Sequence, residues 1–335
     1  MAAGLKVSST DRKVASSTVA KGMAVNTYPS YRMPDGSTRK ARPWHHGLDR
    51  VSTGPDHPRV WRLAQPRLGS TAMQEPAYAD TVVPTYDEVD NLEGIATAIL
   101  DRLPGATLLV VDDNSPDGTG ELADRLAARE PRIRVRHRKG KEGLGKAYVD
   151  GFGVALDGGA RRIVQMDADW SHSPDYLPAM LGALVGGLDA PRPDGADLVI
   201  GSRYVKGGGV VDWGLGRRII SRGGSLFARV VLWLSPHDLT GGFKAWRREA
   251  LEVIDWDRLH SGGYVFQIEL TYLADRAGAR VVEVPIVFPD RRVGQSKMTG
   301  GIFKEAISVV LRLRWDELRG RGPTARLARP PASGS

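Results

Sequence analysis

From Tyr78 onward, short apolar runs rich in Val, Ile and Leu alternate with segments whose apolar positions recur at helical spacing. The runs at 81–84, 107–111, 133–136, 162–166, 198–201 and 281–287 read as strands. Helical periodicity fits 89–102, 118–129, 145–156 and 175–188. These strands are too apolar to face water on either side. The alternation therefore predicts an α/β fold, with a mainly parallel sheet flanked by helices. Ligands of such sheets lie beyond the carboxyl ends of the strands. Polar clusters fall at four of those ends, at 85–88, 112–115, 167–169 and 202–204. Asp80 is expected to interrupt the first strand and shorten it.

After Gly201 the alternation loosens. The segment 216–234 carries Ile219, Ile220, Leu226, Phe227, Val230, Val231 and Leu234. In 302–318, Ile302, Ala306, Val309, Val310 and Leu313 share one helical face, with Lys304, Ser308, Arg312 and Arg319 elsewhere. These C-terminal amphipathic helices suit a membrane interface or ordinary core packing, and the pattern alone allows both. No apolar run is long enough to predict a transmembrane helix.

Composition narrows the classes. At 335 residues, with 41% hydrophobic and 26% charged, the chain can bury a sizeable core. It has no cysteine, which excludes disulfides, thiolate zinc sites, iron–sulfur clusters and a cysteine nucleophile. The net charge of +8 is unevenly spread. Residues 1–72 carry +8, 73–290 carry −7 and 291–335 carry +7. A basic arm and tail around an acidic body are not a nucleic-acid-binding domain, and no nucleic-acid partner is expected. Residues 1–72 read as a disordered basic extension, 73–319 as the folded domain and 320–335 as a flexible basic tail. The extension contains no Glu and either resembles a transit peptide or precedes a true start at Met73.

Chemistry is concentrated at the strand ends. Asp167-Ala168-Asp169 follows an apolar strand that has no hydrophobic use for two carboxylates. Hard oxygens of this kind suit Mg²⁺ or Mn²⁺ bridging substrate phosphates; the alternative is a capped turn leading into Ser171–Pro174. The stretch 112–118 reads equally as a strand-to-helix turn or as the edge of a nucleotide site. Gly140 to Ala147 approaches the phosphate-loop pattern, but Ala147 lacks the hydroxyl that such a loop gives its Mg²⁺, which disfavours a nucleotide hydrolase. Arg203, Arg291, Arg292 and Lys297 are candidate phosphate cations, with solvated surface charge as the alternative for each.

Taken in order, Val83–Glu88, Asp112–Gly118, Gly143-Leu144-Gly145, Met166–His172, Gly201–Tyr204, Asp238–Phe243, Gly263–Gln267 and Asp290-Arg291 through Ser296-Lys297 resemble the family-2 glycosyltransferases of the GT-A, nucleotide-sugar-binding fold. The likeness is specifically to polyprenol (dolichol) monophosphomannose synthases and covers about 78–318. It implies inverting transfer of mannose from GDP-mannose to a polyprenyl phosphate, a dolichyl-phosphate β-D-mannosyltransferase activity. A polyprenyl-phosphate glucosyltransferase is the alternative within the family. The resemblance assigns Pro84, Tyr86, Glu88, Val111 and Asp113 to the guanosine, and Asp167, Ala168 and Asp169 to the sugar diphosphate and metal. Asp169 is then the direct metal ligand together with Ser171, and Arg203, Arg291 and Lys297 bind phosphates. It further implies work at the cytoplasmic face of a membrane, by peripheral contact. The chain departs from the pattern at Asp87, where Asn is usual.

Overall fold

The structure, a computed structural model, describes residues 30–32, 38–40, 79–186, 194–259, 261, 263, 265–289 and 300–327. The chain divides into two units, Met1–Gly69 and Ser70–Ser335. In the first, β1 (Ser30–Arg32) pairs antiparallel with β2 (Thr38–Lys40). The other residues of the proposed N-terminal extension lie outside the described residues.

The second unit is built on seven strands. They are β3 (Ala79–Thr85), β4 (Thr107–Asp112), β5 (Ile133–His137), β6 (Arg162–Gln165), β7 (Leu198–Ser202), β9 (Lys244–Arg247) and β10 (Val281–Pro285). Their order is β10-β7-β9-β6-β3-β4-β5. Every neighbouring pair is parallel except those of β9, which runs antiparallel between β6 and β7. A small parallel pair joins β8 (Gly209–Val210) to β11 (Val287–Phe288).

Strand alternation feeds two cores. Val83 points to one face, where α1 (Val89–Arg102), α2 (Thr119–Arg129) and α4 (Leu177–Val185) bring Leu92, Ile95, Ile99, Leu126 and Met180. Val82 points to the other, against α3 (Leu144–Asp157), α5 (Leu215–Leu232), α6 (Arg248–Glu252), α7 (Phe266–Arg276) and α8 (Gly300–Leu318). Helix α3 lies unusually close to the sheet. A Cβ at Gly151 would collide with Val82, so glycine is what permits the approach.

Two sequence expectations need correction. Asp80 does not interrupt the first strand; β3 runs from Ala79 and Asp80 is fully buried within it. Arg134 on β5 pairs with its carboxylate and Thr107 donates to it, so the charge is compensated where it is buried. Residues 320–327, expected to begin a flexible tail, are tied to the body. Leu327 N–H donates to the Ala277 carbonyl at 2.9 Å, and Arg258 donates to the carbonyls of Arg321 and Gly322.

Helix α5 is amphipathic with the large residues outside. Its buried positions are Ser221, Ser225, Ala228 and Leu232. Leu215, Ile219, Ile220, Leu226 and Val230 are exposed, as is the adjoining Trp233. Helix α8 divides differently: Val310 is buried and Leu313 packs on the core, while Leu311, Trp315 and Leu318 face outward. Among the described residues, no helix is long and apolar enough to cross a membrane.

Candidate active site

The carboxyl ends of β3, β4 and β5 form one half of the site. Asp112 closes β4 and is buried, accepting from Thr85 Oγ1 at 3.1 Å and Ser115 Oγ at 2.6 Å. The turn that follows reaches back to α1: Ser115 Oγ, Thr119 Oγ1 and Asp117 Oδ2 accept from the backbone N–H groups of Asp87, Glu88 and Val89. Residues 112–118 thus form a strand-to-helix turn, and its acceptors satisfy the start of a neighbouring helix. Asp87 has φ of 60°, a left-handed conformation that Asp tolerates much as Asn does, so the departure from the family pattern carries little strain.

Beside that turn lies Asp113. Its carboxylate pairs with Arg138, whose side chain is also nearly buried and approaches Asp150 at 3.5 Å. Burial pushes the Asp113 carboxyl up, against the opposing pull of Arg138. Lys141 Nζ sits 3.4 Å from the centre of the Tyr86 ring. Pro84, Tyr86, Glu88, Val111 and Asp113 thus gather at two adjacent strand ends, with Arg138 and Lys141 added by the structure. Sequence reading missed this pair because both lie in a charged loop after a short strand. Nor is the phosphate-loop pattern a cradle here: Lys146 is largely exposed and pairs with Glu142 at 3.1 Å.

The second half follows β6. Tyr148 on α3, fully buried, donates to Asp167 Oδ1 at 2.7 Å. Burial, and then the nearby Asp167 charge, raise the Tyr148 phenol well above its usual range, so it is a proton donor throughout the working pH range. His172 Nδ1 accepts from the Asp167 backbone N–H at 3.0 Å and its ring stacks on Phe243. Asp169 Oδ1 accepts from the Ser171 N–H at 3.1 Å, and Ala168 and Ser171 are buried between them. Trp170 holds φ of 62°, strained for a bulky residue, with its ring against Gly94; a Cβ there would stand 3.1 Å from the ring. The loop is therefore held at several points with Asp167 and Asp169 at the strand end.

No group of three or more His, Asp or Glu side chains suited to a metal occurs among the described residues. The two hard carboxylates fit a divalent cation whose other ligands come from a diphosphate and water, as is usual for Mg²⁺ at phosphates. The bond from Tyr148 is the outer support such a ligand loop needs. Tyr148→Phe keeps the ring stacks on Phe152 and Phe266 and removes only the hydroxyl. It is expected to lower transfer about 10- to 100-fold with little change in melting temperature. Steady-state kinetics alongside thermal melting check this; unchanged kinetics would remove Tyr148 from the site.

Arg203 follows the end of β7, though not as a surface cation. It is buried, donating from Nε and Nη2 to Asp238 at 2.7 and 2.6 Å and from Nη2 to Thr240 at 2.8 Å. Tyr204, Trp213 and Phe288 surround its guanidinium. A second buried basic group is Lys244 on β9, opposite Gln165 of β6 in the sheet register. Its Nζ donates to the Gln267 carbonyl at 2.7 Å and Gln267 Oε1 at 3.0 Å, and burial pulls its ammonium down to about 7. Arg291 and Lys297 lie outside the described residues.

A mainly parallel α/β sheet with a carboxylate-bearing loop and further polar groups at the carboxyl ends of its strands places its ligand site where the sheets of nucleotide-dependent transferases have theirs. The glycosyl transferase family 2 profile matches residues 80–255, and the chain belongs to that family. The undecaprenyl-phosphate mannosyltransferase of Micrococcus luteus is 46% identical over 245 residues, 72% of this chain and 97% of that one. The polyprenol monophosphomannose synthase of Mycolicibacterium smegmatis is 46% identical over 244 residues, 71% of this chain and 89% of that one. Among solved structures, glucosyl-3-phosphoglycerate synthase from Mycobacterium tuberculosis shares the fold, with a TM-score of 0.52 at 19% identity over 70% of this chain and 79% of that one.

Proposed function

We propose that this chain transfers mannose from GDP-mannose to a polyprenyl monophosphate, with inversion, giving polyprenyl-phospho-mannose. The carrying observation is the Asp167–Asp169 loop, set beside the Asp113 and Tyr86 strand ends in a chain 46% identical to two polyprenyl-phosphate mannosylating relatives. Pro84, Tyr86, Glu88, Val111 and Asp113 hold the guanosine. Asp167 and Ala168 border the diphosphate, and Asp169 with Ser171 holds Mg²⁺ or Mn²⁺. When bound, that cation neutralises charge on the diphosphate as it departs.

No protein base is required. A phosphate monoester is dianionic above a second pKa of roughly 6, so its oxygen attacks the anomeric carbon without losing a proton to the enzyme. The protein's task is to hold two repelling phosphates close together. Arg291 and Lys297 serve that task directly. Arg203, being committed to Asp238, serves it by fixing the end of β7.

The acceptor is reached at the cytoplasmic face of a membrane. The outward Leu, Ile and Val side chains of α5 favour an interfacial position, with Arg218 and Arg222 exposed among them. The catalytic domain comprises 73–319, with 320–327 docked on it.

A donor screen tests the reading: GDP-mannose, UDP-glucose and GDP-glucose, each radiolabelled, with a polyprenyl phosphate and Mg²⁺ or Mn²⁺. Label entering the lipid extract from GDP-mannose is the expected result. Label from UDP-glucose alone would overturn the mannosyl assignment.

A further inference from the structure

Gln267 is buried, and the direction of its amide is fixed by its neighbours. Trp246 Nε1, which can only donate, bonds Gln165 Oε1 at 3.3 Å. Gln165 Nε2 therefore faces Gln267, and it donates to Gln267 Oε1 at 2.7 Å. Lys244 Nζ donates to the same oxygen at 3.0 Å. With Oε1 held by two donors, Nε2 must point the other way, where it is buried with no hydrogen-bond partner among the described residues. An unsatisfied buried donor is costly, of the kind proteins keep where a ligand completes it.

What it faces is a niche left by Gly242. The first carbon of a side chain there would stand 3.4 Å from Gln267 Nε2, 3.4 Å from His172 Cε1 and 3.7 Å from Asp167 Oδ2. Asp167 Oδ1 is taken by Tyr148, which leaves Oδ2 as the acceptor turned to this side. One neighbour of that position thus donates and another accepts. A phosphate oxygen only accepts, so it could satisfy Gln267 Nε2 but would offer Asp167 Oδ2 no proton and could stand near it only across a cation. A hydroxyl both accepts and donates, and bridges the two.

We propose that Gly242, Gln267 and Asp167 form a subsite for one hydroxyl of the transferred hexose, with Lys244 and Gln165 as positioning residues that lock the Gln267 amide. The proposal rests on the nucleotide-sugar reading above and adds a determinant of which sugar is accepted. The hydroxyl accepts from Gln267 Nε2 and donates to Asp167 Oδ2. A sugar epimer that turns this hydroxyl away leaves Nε2 unsatisfied and is disfavoured.

Two variants test it. Gly242→Ala places a methyl group in the niche at ordinary contact distances and leaves the Gln267 network intact. Gln267→Glu keeps an oxygen for Lys244 but replaces the N–H donor. Calorimetry with Mn²⁺ measures GDP and GDP-mannose binding to wild type and both variants, with thermal melting as a check on folding. Both variants are expected to bind GDP within about two-fold of wild type and GDP-mannose about ten-fold more weakly. Equal weakening of both ligands, or no change in either, overturns the subsite. Unchanged donor affinity with a raised KM for the polyprenyl phosphate also overturns it, assigning the niche to the acceptor. Failure of wild type to bind any nucleotide sugar overturns the underlying reading, and the subsite with it.

Discussion

Asp169→Asn is expected to reduce mannosyl transfer on the order of 10²–10³-fold while leaving the fold in place. The substitution preserves the size of a nearly buried side chain, and the amide oxygen still accepts from the Ser171 N–H. The anionic oxygen offered to a cation is lost. Since no third carboxylate or imidazole stands ready among the described residues, the loss has no local replacement. Titrating Mn²⁺ and Mg²⁺ against rate separates weak binding from lost chemistry: partial recovery at high metal indicates the former. Near-normal turnover at ordinary metal concentrations would remove Asp169 from the metal site.

Asp238→Ala is expected to cost about 3–5 kcal/mol of stability, enough to unfold many domains. Asp238 is fully buried and accepts from the Arg203 guanidinium twice, from the Arg203 N–H at 2.9 Å and from the Gly241 N–H at 3.0 Å. Removing it strands a buried guanidinium among Tyr204, Trp213 and Phe288. Burial pushes the Asp238 carboxyl up, but the Arg203 charge and these hydrogen bonds pull it down further, so its folded value lies below the ordinary one. The sign follows from that depression. The pair's contribution is fully present above about pH 4 and is lost as pH falls through the depressed value. Urea midpoints at pH 7 and pH 3 should therefore fall steeply for wild type and less steeply for Asp238→Asn. Equal slopes would assign acid sensitivity to other carboxylates.

The strands of the sheet were largely legible, for a clear physical reason. Buried parallel strands are built on apolar runs, as Val82-Val83 in β3, Leu108–Val111 in β4 and Leu198–Ile200 in β7 are, with Asp80 the paired exception inside β3. Helix α1 was legible to the residue because its apolar positions lie along one stripe. Helix α7 was not. It is buried on all sides from Phe266 to Ala274, including Gln267, Glu269 and Thr271, so it shows no amphipathic period. Strand β9 escaped notice because Lys-Ala-Trp-Arg contains a fully buried lysine that no strand pattern anticipates.

The site divides in the same manner. Carboxylates at strand ends could be read because apolar strands isolate them. Their supports could not, since Tyr148 belongs to α3, His172 to the following loop and Gln267 to α7, and only the fold unites them. Arg203 was found in the right place with the wrong environment: sequence placed a cation at a strand end but did not supply Asp238, 35 residues later, as its partner.

The proposed seating of the outward aliphatic face of α5 on a membrane changes what concentration means for this enzyme. A polyprenyl phosphate carries its tail in the bilayer and is scarcely present in water. A catalyst resting on the same surface meets it by diffusion in two dimensions. Turnover then follows the mole fraction of acceptor among the lipids. Added inert lipid or detergent slows the reaction by dilution within the surface, although neither enzyme nor acceptor has been removed from the tube.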